Sequence, residues 1–129
     1  QAAARRMFSA VDRPEAVFVC NDHMAFAVMD VLRFELGLRV PQDVSVVGFD
    51  DVAPARWAAY NLTTYRQNVD DMVAETVRTL LDNINLKSET PRQVMLDGEF
   101  VVRGSTGSAS PANATGESGP SAAPRSEIA

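Results

Sequence analysis

The chain has 129 residues, 46% of them apolar and 22% charged, with a formal net charge of −5 and a sequence pI near 4.8. That is the composition of one globular domain, and the longest basic run, Arg5-Arg6, gives no footprint for gripping a phosphate backbone. Cys20 is the sole cysteine, which excludes a disulfide or thiolate-metal framework within the chain, and no apolar run reaches the roughly 18 residues of a membrane span.

Residues 1–13 read as the end of a helix, with Met7, Phe8 and Val11 as an apolar stripe and Asp12-Arg13-Pro14 as its stop. The chain opens at Gln1 inside that pattern, so it reads as part of a longer protein. Ala16 to Cys20 is a continuous apolar run, expected to be a strand covered on both faces with Cys20 a buried thiol. His23 to about Leu36 is helical in pattern, with Asp22 as the expected N-cap and Gly37 as the stop. A turn around Pro41 and Asp43 leads to a second buried strand, Val44 to Phe49, and Leu62 to Tyr65 forms a third.

Val69, Met72, Val73, Val77, Leu80, Leu81 and Ile84 then recur at spacings of three and four, which predicts an amphipathic helix lying on the sheet. Val94–Leu96 and Phe100–Val102 are expected to form a hairpin around Asp97-Gly98. Residues 104–129 are Gly-, Ser-, Ala- and Pro-rich and read as a disordered low-complexity tail, which leaves 14–103 as the folded unit.

Strands alternating with helices predict an α/β fold with a parallel sheet, whose ligands bind beyond the carboxyl ends of the strands. Three polar groups collect there: Asn21-Asp22, Asp50-Asp51 and Arg66-Gln67. Together they offer acceptors and donors suited to the hydroxyls of a sugar or nucleoside. Asp22 is read as a helix cap and Asp51 as a loop anchor, whereas Asn21 and Asp50 divide evenly between structural and ligand-contacting roles.

Catalytic readings fare worse. His23 has no second histidine and no placed nucleophile beside it. A magnesium site at the aspartates would want a lysine at a strand end, and the sole lysine, Lys87, follows the long helix. Two-carboxylate glycosidase chemistry needs acids across a substrate from each other, which adjacent strand residues do not provide. No catalytic residue, metal ligand or cofactor is assigned. Phe26 and Met29 fall beside Asp30 and Arg33 on the side opposite the sheet, and with Trp57 and Tyr60 they read either as a partner-binding patch or as scattered surface hydrophobes.

The segments "RPEAVFVCNDHMAFAVMDVLRFELGLRVPQDVSVVGFDDV", "LTTYRQNVDDMVAETVRTLL" and "EFVVRGST" closely resemble the C-terminal part of lactose-repressor (LacI/GalR) family transcriptional regulators, over about residues 5 to 106. The resemblance implies an incomplete C-terminal subdomain of a periplasmic-binding-protein-like type I fold. In such a protein two subdomains close on a sugar or nucleoside effector, behind a helix-turn-helix that binds operator DNA as a dimer. It implies effector contacts from Asn21, Asp50 and Gln67, and a homodimer interface using Phe26, Asp30 and Trp57. It also implies a cytoplasmic, non-enzymatic protein without cofactor or membrane partner. A periplasmic-type sugar-binding protein of an uptake system shares the fold and is the alternative. The family usually has a proline before "LTT" and another after "RQ", where this chain has Asn61 and Asn68, so a looser loop and helix start are expected.

Overall fold

The computed structural model describes residues 1–86 and 93–107. Lys87 and residues 108–129 of the expected tail lie outside these. A four-stranded sheet runs in the order β1 (Ala16–Phe18), β2 (Ser45–Phe49), β3 (Thr63–Arg66) and β4 (Glu99–Val101). The first three strands are parallel, as the β/α alternation predicts, and β4 returns antiparallel to β3 with Tyr65 opposite Phe100. The α/β class with a mainly parallel sheet is therefore observed.

Helix α1 (Ala2–Phe8) buries Ala4 and Phe8 and is tied to the next helical segment by an ion pair, Arg5 Nε to Glu35 Oε2 at 2.5 Å. α2 (Asp22–Asp30) passes without a break into a π-helical turn, Val31–Glu35. The widening shows in Leu36, whose N–H donates five residues back to the Val31 carbonyl at 3.0 Å. Gly37 then ends the segment at φ +65, a left-handed conformation that glycine adopts without penalty.

Met29, Val31, Leu32, Val44, Val46 and Leu62 form the fully buried centre of the core between α2, its π turn and the inner face of the sheet. Burying a side chain of this size contributes roughly 1.5–3 kcal/mol.

Several expectations are corrected here. Phe26 and Met29 do not face outward: both are buried, because residues 53–62 fold back over that side of α2 and the Phe26 ring stacks on Tyr60 with centroids 4.2 Å apart. The strands are not covered on both faces. β2 alternates between half-buried and buried residues, and on the outer face Phe18, Phe49 and Tyr65 form a row with centroid spacings of 6.5 and 5.5 Å. Phe18 stays 59% exposed, and Cys20 is exposed rather than buried.

α3 (Val69–Leu86) forms as the periodicity predicts, yet its stripe does not lie on the sheet. Exposure there runs from 40% at Met72 to 62% at Ile84. Periodicity specifies that one face is apolar; it does not specify what covers that face. The expected hairpin is also absent: among residues 93–107 only β4 is a strand, and Gly98, instead of turning a hairpin, donates its N–H to the Tyr65 hydroxyl at 2.7 Å.

The boundary at Gly104 falls too early. Ser105 is fully buried. Its Oγ donates to the Val46 carbonyl at 2.6 Å and accepts from the Thr63 N–H at 2.8 Å, while its own carbonyl accepts from the Val46 N–H at 2.8 Å. These bonds tie the chain after β4 across β2 and β3. Ser105→Ala leaves the buried Thr63 N–H without a partner, and a loss of about 1–3 kcal/mol is expected in urea denaturation. An unchanged midpoint would remove Ser105 from the framework.

The two asparagines in place of prolines are built in rather than loose. Asn61 has φ +45, which asparagine tolerates and proline cannot adopt. Asn68 Oδ1 accepts from the Asp71 N–H at 3.2 Å and so caps the first turn of α3.

Candidate functional site

The parallel register brings the carboxyl ends of β1, β2 and β3 to one edge, and Asn21, Asp50 and Gln67 meet there. Asp50 is at the centre. Its Oδ2 accepts from Asn21 Nδ2 at 2.8 Å and its Oδ1 accepts from Gln67 Nε2 at 2.7 Å. All three residues are half-buried, so the cluster is held by the fold yet reachable. It borders a cleft of about 550 Å³ lined by Asp50, Arg56, Arg66, Gln67 and Asp97 among others.

Asn21, and not Asp22 as expected from sequence, caps α2. Asn21 has extended backbone, φ −157 and ψ 138, and its Oδ1 accepts from the N–H groups of His23 and Met24, so it is the N-cap of α2. Its side-chain carbonyl is thereby committed to the helix and one N–H of its amide to Asp50. Asp22, the expected cap, is instead the first helical residue and points into the core. His23 is exposed and makes an edge contact with Phe26.

Asp51 is the anchor that the sequence suggests, with more partners than the sequence shows. Its side chain is wholly buried, and it receives Arg66 Nε at 2.6 Å, Arg103 Nη2 at 2.5 Å and Arg56 Nη2 at 3.4 Å. Burial pushes the Asp51 carboxyl up, but hydrogen bonds and charge from Arg66 and Arg103 outweigh it and hold the group below the usual carboxylate range. The same contact raises the Arg66 guanidinium. Arg66 Nη1 also donates to Glu99 on β4 at 2.6 Å, and Arg103 Nη1 donates to the Leu62 carbonyl at 2.8 Å.

Adjacent aspartates serve opposite surroundings because the backbone turns sharply between them. Both have positive φ, 115 at Asp50 and 55 at Asp51. Such conformations cost about 1–3 kcal/mol each and persist where surrounding bonds enforce them. Asp50 is pinned by its N–H donating to the Tyr65 carbonyl at 2.9 Å, and Asp51 by its arginines.

Sequence reasoning missed Thr64, Arg103 and Ser105 as contributors. Gly48 is the overlooked signal. A glycine inside a strand marks close approach, and a side chain there would run into Asp22 and Leu62. Of the expected interface residues, Trp57 is 59% exposed, Asp30 is half-buried and Phe26 lies beneath Tyr60. Among the described residues no group of His, Cys, Asp and Glu could hold a metal ion, and no helix is long and apolar enough to cross a membrane.

A periplasmic binding protein-like domain family model matches residues 1–106. The chain is 39% identical over 90 residues to the HTH-type transcriptional repressor PurR of Pasteurella multocida, covering 70% of this chain and 27% of that protein. Among solved structures, the transcriptional regulator CelR–cellobiose complex is 36% identical with a TM-score of 0.72, over 81% of this chain and 32% of that one. A LacI family transcriptional regulator from Lactobacillus casei with bound sucrose is 31% identical with a TM-score of 0.65, over 81% of this chain and 38% of that one. The chain spans well under half the length of these relatives. It belongs to the periplasmic binding protein-like domain family, in the form that domain takes in LacI/GalR-family transcriptional regulators.

Proposed function

We propose that the chain supplies one wall of the effector site of a transcriptional regulator, and that the effector is a sugar or nucleoside whose binding modulates operator affinity. The observation that carries this reading is the Asp50 carboxylate at the meeting point of three strand ends, with an amide donor on each oxygen. Such a cluster accepts from ligand hydroxyls through its remaining lone pairs and donates through the second N–H of each amide. The cellobiose and sucrose held by similar regulators support the ligand class.

Closure on the effector shifts the regulator between two states by the effector's differential affinity for them. Operator DNA is met by a helix-turn-helix outside this chain, which has net charge −5. The protein acts in the cytoplasm and is not an enzyme; the related proteins are named as repressors. Calorimetric titration of the full-length protein with cellobiose, sucrose and a set of nucleosides, paired with gel shifts on its own promoter DNA, tests the proposal. Ligand binding without DNA binding would favour the uptake-type alternative, and binding of neither would overturn the reading.

The regulator works as a homodimer through the surface around Asp30 and Trp57, with Phe26 supporting it from beneath Tyr60. Trp57→Glu places a charge on that surface, and a shift of the full-length protein toward monomer is expected in sedimentation. A dimer that keeps its dissociation constant would remove Trp57 from the interface.

A further inference from the structure

Asp22 is fully buried one residue after Asn21. Its Oδ1 accepts from Thr64 Oγ1 at 2.6 Å and its Oδ2 accepts from the Val52 N–H at 3.0 Å. Val52 follows Asp50 and Asp51 in the second strand-end loop. Thr64 lies on β3, three residues before Gln67. One carboxyl group therefore bonds to the segments that carry all three members of the cluster: Asn21 through the chain itself, Asp50 through Val52, and Gln67 through Thr64. Gly48 leaves the space this requires, since a side chain there would overlap Asp22 Oδ1 and Leu62.

We propose that Asp22 is the positioning residue of the site, setting the spacing of Asn21, Asp50 and Gln67 without touching a ligand. Its importance for effector binding rests on the proposed function; its effect on geometry does not. The Asn21–Asp50 and Gln67–Asp50 bonds are 2.8 and 2.7 Å long, so a drift of about 1 Å at one strand end breaks them. A bidentate acceptor shielded from water resists that drift better than a solvated one, because its partners have no replacement when it moves. Loops placed by packing alone lack that directional constraint.

Thr64 allows the constraint to be separated from stability. Thr64→Val keeps the buried volume and removes the donor to Asp22, whereas Thr64→Ser keeps the donor and removes a buried methyl group. The experiment records the side-chain amide resonances of Asn21 and Gln67 in the full-length protein without any ligand, assigned through Asn21→Asp and Gln67→Glu. Thr64→Val is expected to shift both amides toward solvent-exposed values and speed their hydrogen exchange by about tenfold, the scale of one lost hydrogen bond. Thr64→Ser, although less stable to heat than the parent, is expected to leave both amides in place.

Unmoved amides in Thr64→Val, or amides that track the melting temperature across both variants, would overturn the proposal. Because no ligand enters this measurement, its failure leaves the effector reading of Asp50 intact. Equally, failure of the ligand titrations leaves this measurement intact.

Discussion

Asp50→Asn is expected to weaken effector binding by the full-length protein by about ten- to a hundredfold, with a modest loss of thermal stability. The substitution keeps size and tolerance of positive φ, so the turn at residues 50–51 survives. What changes is the acceptor. A hydrogen bond to a charged group contributes roughly 1.5–3 kcal/mol, and one of the two oxygens becomes an NH2 facing the amide of Asn21 or Gln67. The cluster then has donor against donor where it had a matched pair. Titration calorimetry against the sugar or nucleoside that the parent binds gives the ratio directly, and equal affinity would show that Asp50 does not contact the effector.

Asp51→Asn is expected to act on the other axis, costing about 3 kcal/mol of stability, the low end for breaking a buried ion pair because Arg56 and Arg66 reach solvent. Arg103, only 12% exposed at its side chain, bears most of the loss. The effect carries a pH signature. The folded carboxyl titrates below the unfolded value of about 3.9, so its stabilisation is complete above about pH 5 and is lost as pH falls through the lowered native value. Urea midpoints of parent and variant should therefore differ most near neutrality and converge below about pH 4. A gap that stays constant down to pH 3 would show that the ionised form of Asp51 is not what the arginines stabilise.

Much of the frame behind these two results is legible in residue order. The run Ser45–Phe49 followed by two aspartates marks a strand ending at a polar edge, and the parallel β/α alternation brings Asn21, Asp50 and Gln67 to that edge. The rest depends on contacts between segments far apart in the chain. Asn21 and Asp22 are both good helix caps by type, and what decides between them is that Asn21 is extended while Asp22 meets Thr64 forty-two residues later. Phe26 and Met29 break the helical pattern because residues 53–62 cover a second side of α2, and no periodicity within the helix announces a second cover. Ser105 sits in sequence that reads as a tail, and only its bonds to Val46 and Thr63 give it a place. The stripe on α3 shows the reverse: its pattern is plain, yet among the described residues it stays largely exposed.

The positive φ at Asp50 and Asp51 also bears on how this wall can change over generations. Glycine enters such conformations freely, Asn and Asp at a cost their local hydrogen bonds offset, and branched side chains are disfavoured by the backbone before chemistry is consulted. Position 50 can thus drift among a charged acceptor, a neutral amide and no side chain at all. Change at this turn is therefore narrow, and wider variation has to come from the residues around it.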